Sequence, residues 1–421
     1  MVGKISNHLF RKNRNKLRNR IDKEALVLVF SNDLMPRNGD QFYPFRQNSS
    51  FFYLTGIEQP NTILLLSGDN EEGDVLFLEE PSATSLVWEG EKLTSDKASE
   101  LSAIENIKST QLFNEVLSNR FKQIKTVCFD LPEELTHSLT PSKTVRYYKS
   151  LKEKFPFHSV KSVHADLVSL RLSKEPEEIE LIRHAIHVTG EAFLKAAKKI
   201  QPGLNEKEIE AILTYEFAVN HTNGHAYDPI VASGLNACTL HYIKNNAKMK
   251  SGELLLMDFG AEYKNYASDI SRTLPVNGTF STRQRELYQA VLDVMDKAIE
   301  ALIPGRTVAE VNRQATGWLI EKHIELGLYT KFDLEARGKA LWKSYFPHGV
   351  SHFIGLDVHD CGTKNQKLEP GMILSCEPGL YIPEEETGIR IEDDILIGHE
   401  KPENLSAGIP KTRGEIEQLM R

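Results

Sequence analysis

The second half of the chain contains side chains of the kind that bind metal ions, each placed inside an apolar, strand-like run. In chain order they are Asp258, Asp269, His352, Glu377 and Glu392. A carboxylate in a half-buried strand is unfavourable unless it is paired or coordinated to a cation. Four carboxylates and one imidazole that converge from separate strands would form a site for two metal ions. This pattern predicts a metal-dependent hydrolase.

The segment LLLMDFGAEYKNYASDISRTL predicts a hairpin that carries Asp258 and Asp269 on its two arms. A turn centred between Tyr263 and Lys264 would place the two carboxylates directly opposite each other, with Cβ atoms about 4.5–5.5 Å apart. Such a pair can hold two cations separated by about 3.5–4 Å. Because the two charges repel each other without cations, we expect a metal-binding role here.

Strand parity in GIRIEDDILI predicts a further polar face. Arg390, Glu392 and Asp394 alternate with isoleucines, so their side chains should point to one side. An arginine beside a ligand carboxylate orients the acid and keeps it ionised. One histidine among four carboxylates is an oxygen-rich ligand set. It favours Mn(II), with Co, Fe or Zn as alternatives, over a structural zinc site.

Histidines are concentrated in the run HGVSHFIGLDVHD, and one more lies in SGLNACTLHY. The first run alternates polar with apolar residues, which predicts that His348, His352 and His359 face one cavity. His241 is the histidine of the second run. Hydrogen-bond donors close to two metal ions are what a tetrahedral intermediate requires.

Length and composition narrow the class of protein. A chain of 421 residues is long for one hydrophobic core, so we expect two domains. The net charge of −8 argues against a nucleic-acid partner. No apolar run approaches the roughly 20 residues that a membrane helix needs. The cysteines are scattered without CxxC spacing, which predicts reduced thiols and a cytoplasmic location.

The order of the predicted elements divides the chain at about residue 170. Residues 1–168 are predicted to form an α/β domain and residues 174–421 an α+β domain. The first has buried strands at 25–31, 61–68, 74–80 and 126–132. The second has helices after an N-cap at Ser173 and from about 205, at 281–302, 307–326 and 332–345, and strands at 228–241, 254–262, 266–275, 351–358, 371–382 and 388–398.

Several long blocks, in the same order, resemble aminopeptidase P, whose wider family includes prolidase, methionine aminopeptidase and creatinase. The blocks are YPFRQNSSFFYLTGIEQPNTILLL, SGLNACTLHY, DFGAEYKNYASDISRTLPVNG, HGVSHFIGLDVHD, SCEPGLYI and GIRIEDDILI. The resemblance extends from about residue 7 to the C-terminal IPKTRGEIEQLM. It implies a C-terminal pita-bread catalytic domain of the creatinase/aminopeptidase type and an N-terminal creatinase-like α/β domain.

The resemblance also implies an activity and a role for each site residue. The activity is hydrolysis of the bond between an N-terminal residue and a following proline, by a water that bridges two divalent metal ions. Asp258 would hold one metal ion and His352 and Glu377 the other, with Asp269 and Glu392 bridging. Glu377 would also move the proton of that water. His241 and His359 would contact substrate and stabilise the intermediate, His348 would line the pocket, and Tyr381 and Arg390 would support the metal ligands.

Two alternatives remain at this point. Prolidase shares all the ligands but accepts only dipeptides, and the long N-terminal domain favours aminopeptidase P over it. A pita-bread module that binds peptide without catalysis is the alternative from another class, and the complete ligand set argues against it. The expected partners are peptides with proline in the second position, with no nucleic acid and no membrane. A homodimer or homotetramer is expected from the resemblance.

Overall fold

The computed structural model describes residues 4–69, 73–132, 141–156 and 158–421. Two compact units follow each other along the chain, the first ending at Arg171 and the second beginning at Leu172. Each helix in these ranges is too short or too polar to cross a lipid bilayer.

The first unit is built on a six-stranded mixed sheet. Its strands are β1 (Ala25–Phe30), β2 (Pro36–Asn38), β3 (Gln41–Phe42), β4 (Ile63–Ser67), β5 (Val75–Leu78), β6 (Asn106–Ser109), β7 (Thr126–Phe129) and β8 (Ser159–Ser162). The sheet has the order β6-β5-β4-β1-β7-β8, and β2 and β3 form a separate hairpin. The helices are α1 (Asn7–Arg18), α2 (Ser49–Thr55), α3 (Ala83–Trp88), α4 (Ser95–Ser102), α5 (Phe113–Arg120), α6 (Lys143–Lys154) and α7 (His164–Leu172).

The central strands of this sheet confirm the apolar runs predicted from the sequence. β1, β4, β5 and β7 are buried along their whole length, as continuous Val, Ile, Leu and Phe runs indicate. The sequence analysis missed β6 and β8, which are polar and lie at the two edges of the sheet. An edge strand needs no second apolar face, so its sequence lacks the signal of a buried strand.

The second unit contains long helices and several small antiparallel sheets. The helices are α8 (Pro176–Ala197), α9 (Glu206–Val219), α10 (Thr282–Ala301), α11 (Val308–Glu325), α12 (Lys331–Arg337), α13 (Lys339–Lys343) and α14 (Arg413–Leu419). The strands are β9 (Ile230–Ser233), β10 (Leu254–Phe259), β11 (Glu262–Tyr263), β12 (Tyr266–Ala267), β13 (Ile270–Pro275), β14 (Ile373–Cys376), β15 (Gly379–Ile382), β16 (Thr387–Arg390), β17 (Asp393–Leu396) and β18 (Glu403–Asn404).

Two three-stranded sheets and two hairpins make up the strand layer of this unit. The sheets have the orders β13-β10-β9 and β14-β17-β18, and the hairpins are β11-β12 and β15-β16. Neighbouring strands pair antiparallel throughout. Helices and strands occur in blocks, which confirms the α+β prediction for this part of the chain.

The predicted register of the β10–β13 hairpin is wrong by two residues. The turn is formed by Lys264 and Asn265, both with positive φ (49° and 68°), so that Tyr263 pairs with Tyr266. Positive φ at both central residues is the mark of the two-residue turn whose twist matches a hairpin. Asp258 therefore lies opposite Ser271 and not opposite Asp269. A shift of two preserves parity, so the side chains keep the predicted face.

Three local predictions in the second unit are also wrong. Ser173 does not cap α8, because its hydroxyl donates to the carbonyl of Pro370 and Glu175 forms the capping box instead. The strand expected at 351–358 is a loop with one isolated bridge, from Phe353 to Leu374.

The third wrong prediction concerns the continuity of two strands. The run at 371–382 is split into β14 and β15 at Glu377 and Pro378, and the run at 388–398 is split into β16 and β17 at Ile391 and Glu392. Pro378 cannot donate a ladder hydrogen bond, which accounts for the first break.

Candidate metal centre

A cavity of about 630 Å³ in the second unit brings the predicted site residues together. Its wall includes all the predicted metal ligands and four other predicted site residues. These residues are Asp258, Asp269, His352, Glu377 and Glu392, with His241, His348, His359 and Arg390. Tyr381 does not line the cavity but contacts two residues that do, since its hydroxyl lies 2.8 Å from His348 Nε2 and 2.8 Å from Arg390 Nη1.

Asp269, His352 and Glu392 form the tightest group in this cavity. Each offers one ligand atom, and these atoms lie within 4.8 Å of one another. His352 Nε2 is 3.3 Å from Asp269 Oδ2 and 3.7 Å from a carboxylate oxygen of Glu377. One small volume thus collects side chains that the sequence separates by more than a hundred residues.

Asp258 is linked to the group through a tyrosine that the sequence analysis missed. The hydroxyl of Tyr227 lies 2.6 Å from Asp258 Oδ1 and 2.5 Å from Asp269 Oδ1. A phenol has one hydrogen to donate, so it satisfies only one of these two acceptors at a time. The pairing of Ile230 with Asp258 places Tyr227 just beyond the aspartate, but this register is visible only in the folded sheet.

The polar face predicted for residues 390, 392 and 394 is confirmed. Arg390 Nη2 donates to Asp258 Oδ2 at 2.6 Å, and Ser271 Oγ donates to Glu392 Oε2 at 2.8 Å. Asp394 accepts a hydrogen bond of 3.1 Å from the backbone N–H of Asp269. The three side chains thus lie on one side of the same acids, although Arg390 and Asp394 belong to separate strands and Glu392 lies at the break between them.

Asp393 faces the opposite way, as alternation requires. Its carboxylate lies 2.7 Å from Arg272 Nη2 and 2.6 Å from Lys411 Nζ. The charge of Asp393 is therefore neutralised away from the cavity.

Backbone contacts orient the imidazole of His352. The backbone N–H of His352 donates to Ser375 Oγ at 3.1 Å, and the backbone carbonyl of His352 accepts from the Ser375 N–H at 2.9 Å. The Nδ1 atom lies 3.2 Å from the carbonyl oxygen of Phe353. A hydrogen on Nδ1 directed at a carbonyl leaves Nε2 available as a metal ligand. Nε2 is the atom that faces Asp269 and Glu377.

Burial opposes the ionisation of three acids of the site, Glu377, Asp258 and Glu392, and so raises their pKa values. It raises the pKa of Glu377 to about 7 against the opposing charges of His352 and Arg390, and it raises the pKa of Asp258. Burial, together with the charges of Asp269 and Glu377, raises the pKa of Glu392 well above its usual value.

Neighbouring acids outweigh the effect of burial on the pKa of His352. Burial alone would lower its pKa, but the hydrogen bond to Asp269 and the charge of Glu377 raise it to about 9. Without a cation, burial and the charges of the neighbouring acids both oppose the ionisation of Glu377 and Glu392. A buried, oxygen-rich donor set of this kind fits divalent cations.

His348 and His359 also line the wall. His348 has Nδ1 2.8 Å from the carbonyl oxygen of Gly349 and Nε2 2.8 Å from the Tyr381 hydroxyl, and burial lowers its pKa to about 3. The ring of His359 lies 4.2 Å from that of His352, centroid to centroid. Burial lowers the pKa of His359 as well. A neutral imidazole has one N–H to donate, and both ring nitrogens of His348 are already engaged within the protein.

Comparison with known protein families agrees with this arrangement. The sequence pattern described as metallopeptidase family M24 matches residues 180–399, more than half of the chain. The chain belongs to metallopeptidase family M24. A second pattern, described as the N-terminal domain of aminopeptidase P, matches residues 10–128. The M24 match contains every predicted metal ligand, from Asp258 to Glu392.

Individual M24 relatives are similar over the whole chain. The Xaa-Pro aminopeptidase of Escherichia coli is 34% identical over all of this chain and 99% of its own length. Human Xaa-Pro aminopeptidase 3 is 32% identical over 96% of this chain and 84% of its own.

The structure of E. coli aminopeptidase P with the inhibitor Pro-Leu superposes with a TM-score of 0.90, at 33% identity over 99% of each chain. The second unit is therefore a pita-bread domain, and the first is the α/β domain that accompanies it in aminopeptidase P.

Proposed function

We propose that this chain is a metal-dependent Xaa-Pro aminopeptidase, which releases the N-terminal residue from peptides with proline in the second position. The observation that carries the proposal is the convergence of Asp269, His352 and Glu392, with Asp258 and Glu377 beside them, on one cavity. Membership of family M24 and full-length similarity to Xaa-Pro aminopeptidases support the reaction class.

The ligand assignment is part of the proposal. Asp258, Asp269, His352, Glu377 and Glu392 would hold two divalent cations, for which we propose Mn(II). When bound, such ions polarise the scissile carbonyl and lower the pKa of water so that it becomes a nucleophile at neutral pH. The shared hydroxyl of Tyr227 and the guanidinium of Arg390 would keep Asp258 and Asp269 in place for this role.

The remaining residues of the wall have roles that follow from their positions. Glu377 would accept the proton of the attacking water and deliver it to the proline nitrogen as the bond breaks, because an amide nitrogen must gain a proton to leave as an amine. His241 and His359 would donate hydrogen bonds to the oxygen that develops negative charge. His348, held by Tyr381, would form the side of the substrate pocket.

The test compares metal-stripped protein with and without added Mn(II), on a Xaa-Pro dipeptide and a Xaa-Pro-Yaa tripeptide. Asp269→Asn should abolish cleavage, whereas Asp293→Asn, on the surface of α10 and paired with Lys322, should not. Mn-dependent release of the first residue from the tripeptide supports the proposal. Cleavage of the dipeptide alone would instead indicate prolidase, and no cleavage with any divalent metal would indicate a binding module.

Three further expectations accompany the proposal and have simple tests. The oligomeric state, expected to be a homodimer or homotetramer, is measured by light scattering after size exclusion. The cytoplasmic location is measured by cell fractionation. Domain limits of 1–168 and 174–421 are measured by limited proteolysis, which should cut between the two units.

A further inference from the structure

The cavity wall contains a lysine to which the proposed reaction assigns no role. Lys364 lines the same cavity as the proposed metal ligands. The wall also contains Arg390, but its guanidinium already donates to Ser271, Tyr381 and Asp258. Within the described part of the chain, the ammonium of Lys364 has neither a hydrogen bond nor an ion pair. It is therefore a cation of the wall that remains available to a ligand.

The backbone that carries Lys364 is anchored on both sides. Its carbonyl accepts a hydrogen bond of 2.8 Å from the N–H of Ala309 at the start of α11. Further along, the N–H of Leu368 donates to the carbonyl of Arg306 at 2.7 Å. Just before it, Asp360 forms a buried ion pair with Lys174 at 3.2 Å. The base of the side chain is thus fixed, while the exposed ammonium can move on its flexible stem.

The charge balance of the wall indicates what this ammonium would bind. Beside Lys364 and Arg390, the charged groups of the wall are the carboxylate of Asp228 and the proposed metal ligands Asp258, Asp269, His352, Glu377 and Glu392, whose negative charge the bound cations would offset. A short peptide brings an ammonium at one end and a carboxylate at the other. The Asp228 carboxylate is not one of the proposed metal ligands and favours the ammonium end. The peptide carboxylate needs a cation that is free to pair with it.

We infer that Lys364 binds the C-terminal carboxylate of short Xaa-Pro-Yaa substrates and so sets a preference for peptide length. This inference rests on the proposed function, because the peptide must first enter the cavity as a substrate. An exposed ammonium is partly screened by water and salt, so the expected effect is moderate, about three- to tenfold in KM. A longer peptide would carry its carboxylate beyond the reach of the lysine.

The experiment measures kcat and KM of the Mn-loaded enzyme on a Xaa-Pro-Yaa tripeptide, on its C-terminal amide, and on a hexapeptide in both forms. The variants are Lys364→Ala, Lys364→Arg and, as the matched control, Lys367→Ala. Lys367 lies on the same loop and is exposed, and it does not line the cavity. Both alanine variants remove one positive charge from this loop.

The expected result is a wild-type preference for the tripeptide acid over its amide, weaker at high salt and absent for the hexapeptide. Lys364→Ala should raise KM for the tripeptide acid alone, with kcat and the amide unchanged. Lys364→Arg and Lys367→Ala should behave like the wild type. Equal kinetics for acid and amide in the wild type would overturn the inference while leaving the aminopeptidase intact. Failure of the wild type to cleave either would overturn the proposed function and the inference with it.

Discussion

Arg390 ties strand β16 to strand β10 by donating a hydrogen bond of 2.6 Å from Nη2 to Oδ2 of Asp258. Its other nitrogens donate to Ser271 and Tyr381, so one buried guanidinium satisfies three acceptors. No other side chain offers donors in this fork geometry. The position of Asp258 in the cavity therefore depends on a residue more than a hundred positions away.

Replacement of Arg390 by lysine should weaken metal binding. A lysine can reach one of the three acceptors but not all of them, so Asp258 loses its orientation. Loss of a group that orients a ligand typically lowers metal affinity about 10–100-fold. Titration calorimetry with Mn(II) measures this change. Arg283→Lys is the control. Arg283 forms a partly exposed ion pair with Glu385 outside the cavity, so this substitution should leave the affinity for Mn(II) unchanged. Equal affinity in Arg390→Lys would contradict the orienting role.

Tyr227→Phe should destabilise the metal-free protein more than the metal-loaded protein. The hydroxyl contacts both Asp258 and Asp269, and its removal exposes each buried acid to the other. The expected loss in the free energy of unfolding is about 1–3 kcal/mol with chelator present, and less with Mn(II), because cations then supply the missing charge. Urea unfolding in the two conditions measures both values.

Tyr288→Phe is the matched control for that experiment. Its buried hydroxyl donates to the carbonyl of Lys411 at 2.6 Å and contacts none of the proposed ligands. The decrease in the free energy of unfolding for Tyr288→Phe should therefore be the same with and without Mn(II). If Tyr227→Phe also showed no dependence on the metal, the hydroxyl would have only a packing role.

Lys174 and Asp360 should couple strongly in a double-mutant cycle. Their side chains are 2% and 1% exposed, and Asp360 directly follows His359 in the chain. Removal of one partner leaves a buried charge without its counter-ion, which costs about 3–5 kcal/mol. Lys174→Met combined with Asp360→Asn should cost less than the sum of the two single changes. The cycle for Lys322 and Asp293, a more exposed pair, should give at most about 1 kcal/mol. Additive losses for Lys174 and Asp360 would contradict the pairing.

His323 should make the protein less stable as the pH falls from 6.5 towards 4. Burial lowers its pKa from the usual 6.5 to about 4. Above pH 6.5 the imidazole is neutral in both states. Between 6.5 and 4 only the unfolded chain takes up the proton, so the free energy of unfolding falls with pH. Below about 4 both states are protonated and this loss stops growing.

The measurement for His323 compares the wild type with His323→Phe at pH 7.5 and pH 5. Phenylalanine preserves the ring contacts with Tyr329 and Tyr345 and cannot titrate. The wild type should lose about 2 kcal/mol more than the variant between these two pH values. An equal loss in both proteins would show that His323 titrates normally in the folded state.

Local patterns predicted the elements and the faces of the site residues well. The apolar runs of β1, β4, β5 and β7 are strands, and alternation correctly placed Arg390, Glu392 and Asp394 on one side. Predictions failed where the backbone departs from regular periodicity. The hairpin turn at Lys264 and Asn265 has two positive φ angles. The sequence pattern alone predicts a turn centred one residue earlier.

The sequence by itself determined the types of the proposed ligands, the side of each strand that they occupy and, through long blocks of similarity, the family. Side-chain alternation is a property of a few neighbouring residues, so it can be read without the fold. Only the tertiary structure decided which of these side chains meet, that Tyr227 joins Asp258 to Asp269, and that Lys364 lies in the wall of the same cavity. These relationships join segments that are distant in the chain, and their geometry is set by strand register and loop anchoring, which no local pattern encodes.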